Sequence, residues 1–109
     1  MDRLLMALCS APNEESAKAL SQSILDARLA ACVSRVLGVQ SQYWWQGVLE
    51  TAEETLLMIK TTAVQVDALK VHIQKNHPYE TPELIFVPIE TALDTYALWI
   101  HHETRYQGL

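Results

Sequence analysis

The stretch ACVSRVLGVQSQYWWQGVLETAEETLLMIKTT, residues 31–62, decides the fold. Val39, Ser41, Tyr43 and Trp45 alternate with Gln40, Gln42 and Trp44, so successive side chains take opposite sides of one strand. Gln46-Gly47 supplies a tight turn, and ETLLMIK returns as a second strand. The stretch reads as a long β-hairpin, with Gly38 a candidate bulge.

Outward from the hairpin, the other elements fall into place. Leu4 to Leu8 is a short apolar run that reads as a buried strand. Asn13 can cap a following helix whose first turn carries Glu14 and Glu15 at the positive end of the dipole. Ala17, Leu20, Ile24, Ala27 and Ala31 give that helix an apolar face. After the hairpin, Thr62-Ala63-Val64-Gln65 fits a capping box. Val66, Leu69 and Ile73 follow at helical spacing, and Asn76 with Pro78 ends that helix. ELIFVPI, residues 83–89, is a fourth strand, and Leu93, Tyr96, Ala97 and Ile100 mark a last helix.

The order is βαββαβ plus a helix. That is the ferredoxin-like α+β arrangement, an antiparallel sheet with spatial order 4-1-3-2, in one domain. Both main helices of such a fold lie on one face of the sheet. Yet Leu4 to Leu8, Leu56 to Ile59 and Leu84 to Val87 are apolar on both faces. An uncovered face so rich in Leu, Ile, Val and Phe is a large exposed patch. The expectation is an oligomer, with coverage by the C-terminal helix alone as the alternative.

The 109-residue chain is half apolar, about a fifth charged, and carries a net charge of −5. This is a soluble globular composition. No Lys/Arg cluster is present, so nucleic acid is not an expected partner. The run Leu4 to Cys9 is too short for a signal segment, and no apolar stretch is long enough to span a membrane. A cytoplasmic location is the default, with Cys9 and Cys32 as thiols. The topology puts those two cysteines toward opposite ends of the sheet, too far apart for a bridge, whose Cα atoms lie within about 7 Å.

NHPYETPE, residues 76–83, holds the densest polar chemistry. Pro78 and Pro82 force His77 and Thr81 out of the helical region, so the segment is extended and stiff. The fold brings it beside Cys9 at the end of the first strand and toward the hairpin tip at Trp45. Thiolate with imidazole suits copper or zinc. The alternative is that His77 caps the helix and Tyr79 packs in the core. His72 lies off its helix's apolar face and is expected to be exposed. No C-x-x-C pair, H-E-x-x-H motif or Gly-rich phosphate loop is present, and no oxyanion-hole motif accompanies Cys9 and His77. The chain is not expected to be an enzyme. Trp44-Trp45 is a candidate ligand platform or a surface for a neighbouring subunit.

The blocks LCSAPNEESAKAL, RLAACV, YWWQGVLE, LMIKTT, NHPYETPELIFVPI and YALWI resemble, in order, those of the CutA divalent-cation-tolerance family, over about Leu4 to Ile100. The resemblance implies a tight homotrimer related in shape to the PII signalling proteins, with copper or other divalent ions as ligands. It implies metal ligands at Cys9, Asn76 and His77. Asn76 stands where bacterial members carry a second histidine, and an amide is a poorer copper ligand than imidazole. His72 stands where some relatives carry cysteine and is a compensating candidate. Three functions stay open. The favoured one is a copper-binding trimer that buffers or senses ions. The second is a PII-like trimer with a small ligand in an inter-subunit cleft formed by Trp45, Lys60, Tyr79, Glu80 and Glu83. The third is a scaffold for a protein partner of unknown identity.

Overall fold

The computed structural model describes residues 2–105. The elements run β1 (Leu4–Ala11), α1 (Glu14–Asp26), β2 (Cys32–Trp45), β3 (Val48–Thr62), a 3-10 turn (Ala63–Gln65), α2 (Val66–Asn76), β4 (Ile85–Pro88) and α3 (Asp94–Arg105). The strands form one antiparallel sheet in the order β2-β3-β1-β4. β4 is shorter than ELIFVPI suggests, because only residues 85–88 find register partners, at Leu5 to Leu8 of β1.

The hairpin turns at Gln46 (φ 50°) and Gly47 (φ 81°). Two successive positive φ values are the type I′ geometry, whose twist matches the flanking strands. Gly38, at φ 70°, sits where the β2–β3 register breaks between Val36 and Val39. The bulge expected there is present. Beyond Thr55 the hairpin leaves β1 behind and projects as a two-stranded arm carrying exposed Trp44, Trp45, Val48 and Leu49.

Register assigns the faces. Ala7 pairs Ile59 and Phe86, and Cys9 pairs Leu57, so these side chains share one face. They pack with Ala17, Leu20 and Ile24 of α1 and Leu69 and Ile73 of α2 into one core. Met6, Lys60 and Cys32 are register partners on the other face. The Tyr96 phenol of α3 is near enough to Cys32 for that thiol to add to the burial that raises its pKa, which puts α3 on that second face. α3 covers only part of it. Val36, Ile85 and Val87 stay exposed there, so the C-terminal helix alone does not close the sheet.

Helix ends show where local chemistry decides and where it does not. Asn13 Oδ1 accepts from the Ser16 N–H at 2.8 Å, the expected cap of α1. Asn13→Ala should lower unfolding stability by about 1 kcal/mol, read as a shift in urea midpoint at unchanged slope. The helix stops at Asp26, before Ala27 and Ala31 can extend its face. Arg28 takes the left-handed conformation at φ 58°, and the Leu29 N–H closes back on Ile24 O at 3.1 Å. This is a Schellman-type stop without glycine.

The capping box before α2 is not formed. Thr62 makes no side-chain cap, and the buried Gln65 amide donates instead to Thr104 O of α3 at 2.9 Å. A tertiary partner has replaced the local one. At the other end, His77 caps α2 with φ −79° and ψ 140°, the extended geometry that Pro78 imposes. In α3, Ile100 is fully buried, whereas Leu93 precedes the helix and is 76% exposed on this chain.

Candidate functional site

The extended segment after α2 folds over the end of β1, fastened by three hydrogen bonds and braced by a fourth within it. His77 Nε2 lies 2.7 Å from Ser10 O, and His77 Nδ1 lies 3.0 Å from the Tyr79 N–H. A carbonyl can only accept and an amide N–H can only donate. His77 therefore carries its proton on Nε2 and its lone pair on Nδ1. The Tyr79 hydroxyl donates to Glu54 Oε2 at 2.8 Å, and Gln74 Nε2 donates to Glu80 O at 3.3 Å. The His77 and Tyr79 rings pack with centroids 5.0 Å apart.

These contacts wall a groove of about 680 Å³ between the segment, the end of β1 and the hairpin arm. Trp45, Tyr79, Glu80 and Glu83 line it within this one chain. Glu54, Ser10 and Tyr43 line it too and do not stand out in the sequence. Glu54 looks like one more polar residue in ETAEET. It shares the face of Leu56 by alternation along β3, and the Gly38 bulge in β2 brings Val39, Ser41, Tyr43 and Trp45 onto that same face. Lys60 is not part of this groove. Its Nζ sits near the other end of β3, 2.6 Å from Ser34 Oγ and 3.8 Å from Cys32 Sγ.

The expected metal ligands are not assembled into one set. Cys9 is fully buried on the core face, and burial, with Glu83 and Glu54 adding, pushes its thiol up to about 12. A metal there would have to displace the thiol proton. Both ring nitrogens of His77 are already engaged. Asn76 is exposed and its amide donates to His72 O at 2.8 Å, closing the last turn of α2. His72 is not exposed as expected: it is half-buried, with Nε2 2.9 Å from Ser23 Oγ of α1, and burial, then Lys75, lowers its pKa. Ser23 Oγ also donates to Leu20 O, so the imidazole ties the two helices together. Among the described residues no three His, Cys, Asp or Glu side chains converge on one point.

The family model for the CutA1 divalent ion tolerance protein matches residues 5–103. The chain belongs to the CutA family. It is 39% identical over 98 residues to the divalent-cation tolerance protein CutA of Pectobacterium atrosepticum, covering 90% of this chain and 89% of that one. It is 45% identical over 94 residues to the chloroplastic protein CutA 1 of Oryza sativa, which covers 86% of this chain but 53% of the rice protein. The chain thus spans about half the length of the plant relative and most of the bacterial one. The crystal structure of CutA1 from Oryza sativa superposes with a TM-score of 0.93 at 40% identity, covering 95% of each chain. That of Thermus thermophilus gives 0.89 at 35% identity, with 92% of this chain and 97% of that one covered. The α+β fold with its four-stranded antiparallel sheet and three helices is therefore that of CutA1 structures.

Proposed function

We propose that this protein is a non-catalytic cation-binding protein that works as a homotrimer and takes its ions in the groove beneath residues 76–83. The observation that carries this is the lining: Glu54, Glu80 and Glu83, with no Lys, Arg or His among them. The family's association with divalent ions supports the same sign of charge. Carboxylates on an open wall hold a hydrated ion by field and hydrogen bonds rather than in a closed shell. Copper is the first ion to try and zinc the second. Assembly is supported by the uncovered strip Val36, Ile85 and Val87 and by the tryptophan-bearing arm, three being the number that the family resemblance implies.

The test is calorimetric titration of the reduced protein with copper(II) and zinc(II), beside Glu54→Gln. Light scattering should give the mass of three chains for both proteins. Wild type should bind, and Glu54→Gln should lose at least about tenfold in affinity, or about 1.4 kcal/mol. Equal binding by an intact Glu54→Gln trimer would remove the groove from the account. A monomeric mass would remove the trimer.

A further inference from the structure

The second free thiol of the chain stands in a setting unlike that of Cys9. Cys32 opens β2 at the end of the sheet away from the hairpin arm, and it is half-buried. Lys60 of β3 is its register partner, so the two side chains share one face. Lys60 Nζ lies 3.8 Å from Cys32 Sγ. Ser34, two residues along β2 and so on the same face, accepts from Nζ at 2.6 Å and keeps the amine beside the sulfur. Tyr96 of α3 stands on the other side of the thiol. An oxidisable sulfur and a nitrogen nucleophile are thus held together by the strand pairing itself.

We propose that Cys32 and Lys60 form a peroxide-sensitive modification site that closes to a reversible covalent Sγ–Nζ bridge. In the first step Sγ attacks one oxygen of hydrogen peroxide. The O–O bond breaks, an Sγ–O bond forms, and the thiol proton leaves with the other oxygen as water. Sulfur is oxidised by two electrons and peroxide is reduced by two. In the second step Nζ, having given its extra proton to solvent, attacks Sγ. The Sγ–O bond breaks, and the hydroxyl leaves with one Nζ proton as water. One thiol, one amine and one peroxide give one S–N bond and two waters. Condensation of a sulfenic acid with a nearby nitrogen is known chemistry, and it forestalls further oxidation to the irreversible sulfinic acid. The flexible lysine stem lets Nζ close the remaining distance while the strands stay paired. The bridge removes the Lys60 charge from this face and locks the first residue of β2 to β3. A reducing thiol reopens it by attacking Sγ and releasing the amine, and a second thiol frees Cys32.

The experiment treats the intact reduced protein with hydrogen peroxide and reads whole-chain and peptide masses without added reductant. The chain should lose two hydrogens, and digestion should yield the peptides of Cys32 and Lys60 joined. Dithiothreitol should restore the starting mass. Cys9, fully buried on the core face, should stay unmodified. Lys60→Arg keeps the charge but not the nucleophilic amine, so Cys32 should gain oxygen and form no bridge. Lys60→Gln should do the same, and light scattering checks that each variant keeps the mass of wild type. In urea the share of oxidised Cys32 that ends in the bridge should fall at least about tenfold, since the fold supplies the proximity. Resistance of Cys32 to peroxide in the assembled protein would overturn the proposal. So would oxygen gain at Cys32 with no bridge in wild type, or an equal share of bridge in the unfolded chain.

Discussion

Between pH 9 and pH 12 the folded protein should lose roughly 4 kcal/mol of stability through Cys9 alone. The thiol has an ordinary value of 9.0 and is pushed to about 12 by burial, with Glu83 and Glu54 adding. The sign follows from proton counts. Above pH 9 the unfolded thiol ionises and the folded one does not, so the unfolded state binds fewer protons and gains. The contribution is fully present below pH 9 and is lost as pH rises toward 12, at about 1.4 kcal/mol per unit. Tyr79 adds a second loss in the same direction at higher pH, since burial, then its bond to Glu54, raises it from 10.0. Urea midpoints for wild type and Cys9→Ala, at fixed protein concentration across this window, separate the two. The Cys9→Ala curve should fall less steeply by one proton. Parallel curves would show that the thiol ionises in place, and would reopen Cys9 as a metal ligand.

Leu57→Ala should cost about 2–5 kcal/mol. Leu57 is fully buried at the centre of β3, register partner of Cys9, within the cluster shared with α1 and α2. Its removal leaves a hole that the flanking strands cannot close, so the cavity adds to the lost transfer energy. Val71→Ala is the control: Val71 is 68% exposed on α2, and its truncation should change stability by no more than about 0.5 kcal/mol. Thermal unfolding of the three proteins at one concentration reads both. Similar melting temperatures for all three would mean that the core is not centred on β3.

Much of this architecture is legible in local chemistry. The bulge at Gly38, the turn at Gln46-Gly47 and the Asn13 cap each depend on residues within a few positions, and each forms as read. The failures share a different cause. Gln65 was open to a local partner and took Thr104 O, which is 39 positions away. His72 lies off its helix's apolar face, but α1 reaches it through Ser23. Periodicity ranks the faces of one helix and cannot see a second helix packed beside it.

The same distinction governs the site. The stiffness of NHPYETPE follows from its prolines, and Tyr79, Glu80 and Glu83 do line a groove. What that stiffness serves depends on register. His77 spends one nitrogen fastening the segment to Ser10 O and the other bracing it internally at the Tyr79 N–H. Ser41, Tyr43 and Trp45 share the face of Glu54 only because the Gly38 bulge shifts the pairing of β2 on β3. A residue type can advertise metal chemistry while its neighbours commit it to structure.

The most direct measurement is a copper(II) titration of three reduced proteins in one assay: wild type, Cys9→Ala and Glu54→Gln, each checked for the same mass. The central claim is that the carboxylate groove, not the Cys9–His77 pair, receives the cation. It predicts that Cys9→Ala binds like wild type and that Glu54→Gln is weakened by at least about tenfold. The reverse pattern, with loss in Cys9→Ala and none in Glu54→Gln, would contradict it and return the ion to the end of β1.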